Sequence, residues 1–461
     1  MSAAAELTLT RADGLVNTGA RLFQEGQLEP ARLHFLAALG VEPGHTTALQ
    51  NLSACLRNLN HTHAAYAIAK RAVKLTKGEN IYCLSNLGVA QLGMRQYRES
   101  AKTLLQVARA IPEAAPSWQN LGLVYYMMGQ YPAALEAFDK SLALTYNQHC
   151  DNDRALTILS LGRLKEGLEA YECRWKVLHR TKVWDFGLPE WQGEDLEGSH
   201  ILVHHEQGFG DSLMLCRFLP QLGAKKCRIT LATQPSLMRL MQNNFPFIRV
   251  LSLEDPDLKE KTEGLDYHSP MLSLMRWLGY EKPEQISPKP YLTAKAEAPI
   301  TLPNTKVRIG ICWASGDHAP ALRDRRRLVP LPLLLPLLDN TDISLIALQK
   351  GGDEKDIATY GLESIVFDFH HKLEDWQDTA NTIMCLDLVI TVDSAVAHLT
   401  GALGKPCIML SPYTRCWRWW SKATGWPWYE RMLIYPQDSD GTWNRPMAEA
   451  IKRALWVVKD M

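Results

Sequence analysis

The stretch PSWQNLGLVYYMMGQYPAALEAFDKSLAL, residues 116–144, has a copy of its own pattern upstream. Its marks are Trp118, Leu121, Gly122 and Tyr125, then Gly129, Tyr131, Ala134 and Phe138. Moving back 34 residues sets Leu87-Gly88 against Leu121-Gly122, Tyr97 against Tyr131 and Leu104 against Phe138, and Pro112 closes that unit. About 35 residues further back, Asn51-Leu52 matches Asn86-Leu87. A first unit holds Gly19, Leu22, Gly26, Ala31, Phe35 and Pro43, and a fifth, partial unit runs through ALTILSLGRLKEGLEAYECRW, 155–175. Small residues recur where two helices touch, and large ones recur where the gap needs filling. One such helix pair cannot bury its apolar face alone, so the pattern predicts a stacked helical array.

The pattern W-x2-L-G-x2-Y followed by small and aromatic positions resembles the tetratricopeptide signature, and it predicts a repeat domain over residues 1–180. Arrays of this kind leave a concave groove, which suits a protein partner; a spacer or self-association arm is the other use of the same surface.

Composition narrows the rest. Lys plus Arg equals Asp plus Glu at 50 each, so the chain lacks the basic excess of a general nucleic-acid binder. No apolar run reaches the roughly 18 residues of a membrane span, and MSAAAELTLTRADG lacks the layout of a signal peptide. The ten cysteines form no C-x-x-C pair, which argues against a zinc site. A reducing cytoplasm is the compartment these features predict.

Beyond DFGLPEWQGEDLEGSH the period changes. ILVHH, CRITLATQ and IRVLSL read as strands, with SLMLCRFLPQLG and PSLMRLMQNN as helices between them. After EKPEQISPKPYLTAKAEAPITLPNTK, read as a linker, VRIGICWASG, ISLIALQKGG and DLVITVDSAVAHLTGALGKPCIML repeat the alternation. The expected fold class is therefore α + α/β: a helical solenoid, then two Rossmann-like halves at 198–290 and 305–461 facing across a cleft. Open parallel sheets bind ligands at the carboxyl ends of their strands.

Four loops leave such ends with polar residues. The first holds Gln207, Gly208, Gly210 and Asp211; the second holds Ser315, Gly316, Arg323, Arg325, Arg326 and Arg327; the third holds Gln349 and Lys350; the fourth holds Asp393, Ser394, Ala395 and His398. The first loop lacks the third glycine of G-x-G-x-x-G, and LATQPS lacks the acid that would hold a ribose, which excludes a dinucleotide site. No G-K-[ST] follows a strand, so a P-loop is excluded as well. The fourth loop suits a diphosphate: Ser394 and Ala395 open a helix with free N–H groups, and His398 lies one turn on. Lys350 and the arginines add positive charge. Each has a plainer role as well: His398 as a core histidine, the arginines as a solvated loop, and Asp211 as a cap of the helix it opens.

In order, EQGFGDSLMLCRFLP, RIGICWASG with its arginine-rich loop, LQKG and DLVITVDSAVAHLTGALGKP resemble the heptosyltransferase-like GT-B glycosyltransferases, notably bacterial forms with N-terminal tetratricopeptide repeats. The layout is also similar to O-GlcNAc transferases and flagellin glycosyltransferases. Ala395 and Val396 stand where heptosyltransferases usually have Gly-Pro. The resemblance implies an inverting transfer from a nucleotide-sugar to a protein Ser/Thr hydroxyl, with flagellin as a model acceptor docked on the repeats. It implies Asp211 as general base on the acceptor side, beside Gln207, Gly208 and Gly210. It implies donor binding by Ser315, Arg323, Arg326, Gln349, Lys350, Asp393, Ser394, Ala395 and His398, with no metal and no cofactor. Two alternatives stay open: transfer to a glycan or lipid-linked saccharide, and a non-catalytic scaffold with a degenerate GT-B part. The D-x-D triplets at Asp151/Asp153, Asp255/Asp257 and Asp438/Asp440 read as chance pairs. The tryptophan-dense CWRWWSKATGWPWYERM reads as burial against the first half, or as a stacking platform.

Overall fold

The computed structural model describes residues 3–177, 184–315, 327–419 and 428–459. It divides into two compact units, Met1–Thr157 and Ile158–Met461.

The first unit is a run of antiparallel helix pairs: α1 (Ala3–Gln24) with α2 (Leu28–Val41), α3 (Thr46–Asn58) with α4 (Thr62–Leu75), α5 (Ile81–Gly93) with α6 (Tyr97–Ala110), and α7 (Ala115–Met127) with α8 (Tyr131–Leu144). The helix α9 (Gln148–Ser160) follows, and the division between the units falls inside it. The periodic glycine marks the contact within each pair. A Cβ on Gly19, Gly88 or Gly122 would stand 2.6–2.7 Å from Phe35, Leu104 or Phe138 respectively. In the second repeat Ser53 takes this position and donates its hydroxyl to the Ala65 carbonyl at 2.9 Å. The turn inside each pair also repeats. Gly26, Asn60, Arg95, Gly129 and Gly162 all have φ between 60° and 76°. In each turn the next N–H reaches back across a six-residue loop, as Gln130 does to Tyr125 at 2.9 Å.

The second unit opens with the end of α9 and then α10 (Leu164–Ala170), so the later part of the fifth repeat belongs with the α/β region. The first sheet follows: β1 (His200–His204), α11 (Phe209–Leu215), α12 (Leu219–Gly223), β2 (Arg228–Thr233), α13 (Met238–Asn244), β3 (Arg249–Ser252), α14 (Leu258–Lys261), β4 (Tyr267–Pro270) and α15 (Leu274–Trp277). The four strands are parallel in the order β3-β2-β1-β4. The second sheet comprises β5 (Val307–Cys312), β6 (Ile343–Ala347), α16 (Lys355–Thr359), β7 (Val366–Asp368), α17 (Trp376–Met384), β8 (Leu388–Val392), α18 (Ala395–Ala402), β9 (Cys407–Ser411), β10 (Met432–Pro436) and α19 (Asn444–Lys459). Its six strands are parallel in the order β10-β9-β8-β5-β6-β7. The strands β6, β8 and β9 are buried along their whole length, as a sheet covered on both faces requires.

The 281–305 stretch joins the two sheets and is docked on the way: Tyr291 and Leu292 donate backbone N–H bonds to the Ala402 carbonyl, and Ile286 and Leu292 are buried. One expectation needs correction. Among the described residues the C-terminal helix α19 packs on the second sheet and not on the first half. Trp443, Met447, Ala450 and Ala454 form one helical stripe, and that stripe is part of the apolar core under the second sheet. Return contacts come instead from the tryptophan segment. Trp417, Trp419, Trp428 and Tyr429 are all buried, which satisfies the burial reading of that tail. The Arg217 guanidinium donates to the Trp428 carbonyl at 3.2 Å and lies 4.2 Å from the Tyr291 ring.

Candidate functional site at the meeting of two helix starts

The loop after β1 is held from below by a buried charge network. Arg174 and Glu206, 1% and 6% exposed, form a two-pronged pair at 2.6 and 3.2 Å. Leu272 N–H donates to the same carboxylate at 3.0 Å, and Arg174 reaches Ser273 Oγ at 2.9 Å. Burial pushes the Glu206 carboxyl above its ordinary range, against the pull of the Arg174 charge. The next residue is Gln207, so the glycine turn leaves a rigid footing.

Within that turn Gly208 caps α11 with an extended φ of −80°. Neither Gly208 nor Gly210 has positive φ. Gly210 is needed for proximity instead: a Cβ there would lie 2.9 Å from His398 Cδ2 and 3.5 Å from Ala395 Cα. The start of α11 therefore lies directly against the start of α18, and the first sheet's helix meets the second sheet's helix at this point. Asp211 sits beside the contact. Its Oδ2 accepts from Gly208 N–H at 3.2 Å, so Asp211 caps from the third helical position rather than the first. Its Oδ1 is ion-paired with Arg418, which also donates to Gln207 Oε1 at 3.1 Å.

On the other side Ser394 is the N-cap of α18, accepting from Ala397 N–H at 3.4 Å and sharing a 2.9 Å bond with Thr391. Ala395 and Val396, first in the helix, have N–H groups without intrahelical acceptors. Asp393 is buried and lies 3.5 Å from Arg327. His398, 4% exposed, has Nδ1 2.9 Å from the Tyr429 hydroxyl and its ring stacked on Trp419 at 4.7 Å.

The remaining candidates are spread out. Gln349 is buried, and its amide oxygen accepts from Trp313 and Ala314 N–H at 3.1 and 3.0 Å, bracing the loop after β5. Lys350 donates to the Leu373 carbonyl. Ser315 donates its N–H to the Arg327 carbonyl at 3.2 Å. Arg323, Arg325 and Arg326 lie outside the described residues, as does Gly316. The triplet acids Asp255 and Asp438 are engaged by Lys261 and Arg445. The sequence reading missed Arg418 and Tyr429; the available signal was an arginine flanked by two tryptophans in CWRWW.

Two buried histidines make this unit acid-sensitive. Burial pushes His398 and His204 down to about 3. His204 donates Nδ1–H to the His205 carbonyl at 3.1 Å, and its Nε2 meets His268 Nδ1 at 3.3 Å, one of those two nitrogens donating to the other. Both folded values lie below the ordinary imidazole value of about 6.5. Between about pH 6.5 and about pH 3 the unfolded chain thus binds protons that the folded chain refuses, and stability falls as pH falls. Lowering pH from 7 to 5 is expected to cost about 2 kcal/mol per histidine, checked by urea unfolding at both values. His398→Gln should remove its own share of that dependence, about 2 kcal/mol; an unchanged slope would show that His398 titrates normally.

A tetratricopeptide repeat model matches residues 115–144. Protein FlbA of Caulobacter vibrioides is 25% identical, with the alignment covering 89% of this chain and 78% of that protein. Type IV pilus assembly protein PilF of Pseudomonas aeruginosa is 28% identical over 30% of this chain and 54% of its own length. Superkiller protein 3 of Saccharomyces cerevisiae is 24% identical over 34% of this chain and 11% of its own. Among solved structures, a thermophilic TPR protein of Thermus thermophilus is 24% identical, covering 36% of this chain and 90% of that one, with a TM-score of 0.33. MamA of Desulfovibrio magneticus RS-1 is 22% identical, covering 37% of this chain and 94% of that one, with a TM-score of 0.30. Among the described residues no helix is long and apolar enough to cross a membrane. The chain carries tetratricopeptide repeats, followed by a region of two parallel sheets.

Proposed function

We propose that the second unit is a GT-B-type glycosyltransferase that moves a sugar from a nucleotide-sugar to a protein Ser or Thr hydroxyl, with the repeats docking the acceptor. The observation that carries this is the meeting at Gly210. It sets a carboxylate from one parallel sheet beside a helix start from the other, both at carboxyl ends of strands. The acceptor oxygen attacks the anomeric carbon and its proton passes to Asp211. The bond from that carbon to the diphosphate oxygen breaks, and the electron pair leaves with the diphosphate. The helix start at Ala395 and Val396 suits that growing charge. In-line attack inverts the anomeric centre.

One feature favours the scaffold alternative: Asp211 is neutralised by Arg418, and Gln349 and Lys350 spend their polar groups internally. The test is release of nucleoside diphosphate from a panel of nucleotide-sugars. Release above the no-enzyme rate supports the transferase; neither binding nor release with any donor favours the scaffold. Removing residues 1–147, ahead of α9, is expected to leave release in place and to lower transfer to a protein acceptor at least about 10-fold, as loss of a docking site should. Unchanged protein glycosylation would remove the repeats from acceptor binding.

A further inference from the structure

Arg418 enters the candidate site, and its surroundings are only partly satisfied. One Nη2 serves Asp211 and Gln207, and Nη1 lies 3.0 Å from Cys416 Sγ. Its Nε is buried and has no acceptor among the described residues. The neighbouring Trp419, 1% exposed, also has a buried indole N–H with no acceptor, although its ring is stacked on His398. The side chains that carry these two donors contact Asp211 and His398, residues that the approach of Gly210 to the start of α18 brings together. A buried donor left without a partner is costly and needs a reason. Here both unmet groups are donors, which an acceptor-rich anion would satisfy. Asp211 supplies only part of it, because Oδ2 is already turned to Gly208 N–H.

We propose that Arg418 is a two-position cation that couples donor binding to release of the base. Without donor it rests on Asp211 and masks Oδ1. When a nucleoside diphosphate fragment occupies the start of α18, the guanidinium turns to the phosphate oxygens. Asp211 Oδ1 is then uncovered, while Oδ2 stays anchored on Gly208 N–H. A carboxylate able to accept a proton would exist only with the donor in place. Arg418 thus also supplies the charge expected from Lys350. This inference rests on the transferase reading above and deepens its donor site.

The test is calorimetric titration of the full-length protein with UDP, GDP, ADP, CDP and inorganic pyrophosphate. The wild type should bind at least one nucleoside diphosphate. Arg418→Gln should weaken that ligand about 10-fold or more, the usual scale for a charge-assisted bond. Arg418→Lys should recover part of the loss, because it keeps the charge without the fork. Asp211→Asn should tighten binding about 3- to 10-fold by freeing Arg418 from its competing partner, a gain within the range for residues in contact. Made in an Arg418→Gln background, the same change should do nothing. Equal binding by wild type and Arg418→Gln overturns the inference and leaves the transferase reading standing. So does a gain from Asp211→Asn that is as large without Arg418 as with it. If Arg418→Gln does not fold, Asp211→Asn alone decides, and unchanged or weaker binding overturns the inference. Absence of binding by every ligand overturns both readings.

Discussion

Asp211→Asn is expected to lower sugar transfer about 10²–10⁴-fold, the usual contribution of a positioned general base. The substitution is nearly isosteric. Its side-chain oxygen can still accept from Gly208 N–H, so the cap on α11 survives. What it loses is the capacity to take a proton from the acceptor hydroxyl, along with the ion pair to Arg418. The effect should appear in the initial rate at saturating donor, and should exceed whatever fall in the urea midpoint follows from losing the Arg418 pair. This separates the two roles open to Asp211. A residue acting only as a cap would tolerate Asn and fail with Ala, whereas a base fails with both. Transfer by Asp211→Asn within about threefold of wild type, far inside the range for a lost base, would end the base assignment.

Glu206→Ala is expected to destabilise the α/β unit by about 3–5 kcal/mol, the cost of stripping one partner from a buried ion pair. Arg174 would keep only Glu172, 3.0 Å away, as a carboxylate partner, and Leu272 N–H would lose its acceptor. The cost comes from the abandoned charge more than from the value of the pair. Replacing both partners with apolar residues, Arg174→Met with Glu206→Leu, should therefore restore much of the stability. Denaturant unfolding of the two variants checks this. A loss under about 1 kcal/mol for Glu206→Ala, or a double variant as unstable as the single, would show that the pair is not the anchor. Because Glu206 directly precedes Gln207 and Gly208, the single variant should also lose transfer beyond its loss of stability.

The repeats were legible because their signal is local and multiplied. Gly122 against Phe138 is a contact sixteen residues apart in sequence, and its copies at Gly88 and Gly19 repeat it. The central strands β5, β6, β8 and β9 were legible as continuous apolar runs, which burial on both faces demands. The outer strands β7 and β10 were not, because an edge strand is half exposed and its sequence loses that run. Among site residues, Asp211, Gly210, Ala395 and His398 are gathered at one point. Gln349 and Lys350 are not, since nothing in a one-dimensional pattern says whether a polar side chain faces a ligand or the backbone of its own loop.

From residues alone followed the helical array, the two parallel-sheet halves and the four polar loops at strand ends. Each rests on periodicity or on a turn within a few residues, and short-range physics writes such features directly into the chain. Long-range packing was needed to show that Gly210 is a point of close approach and not a conformational necessity. It was needed also to show that Arg418, 207 residues from Asp211, is that residue's partner. Contacts of that kind arise when two sheets bury their helices against each other, and no local pattern carries them.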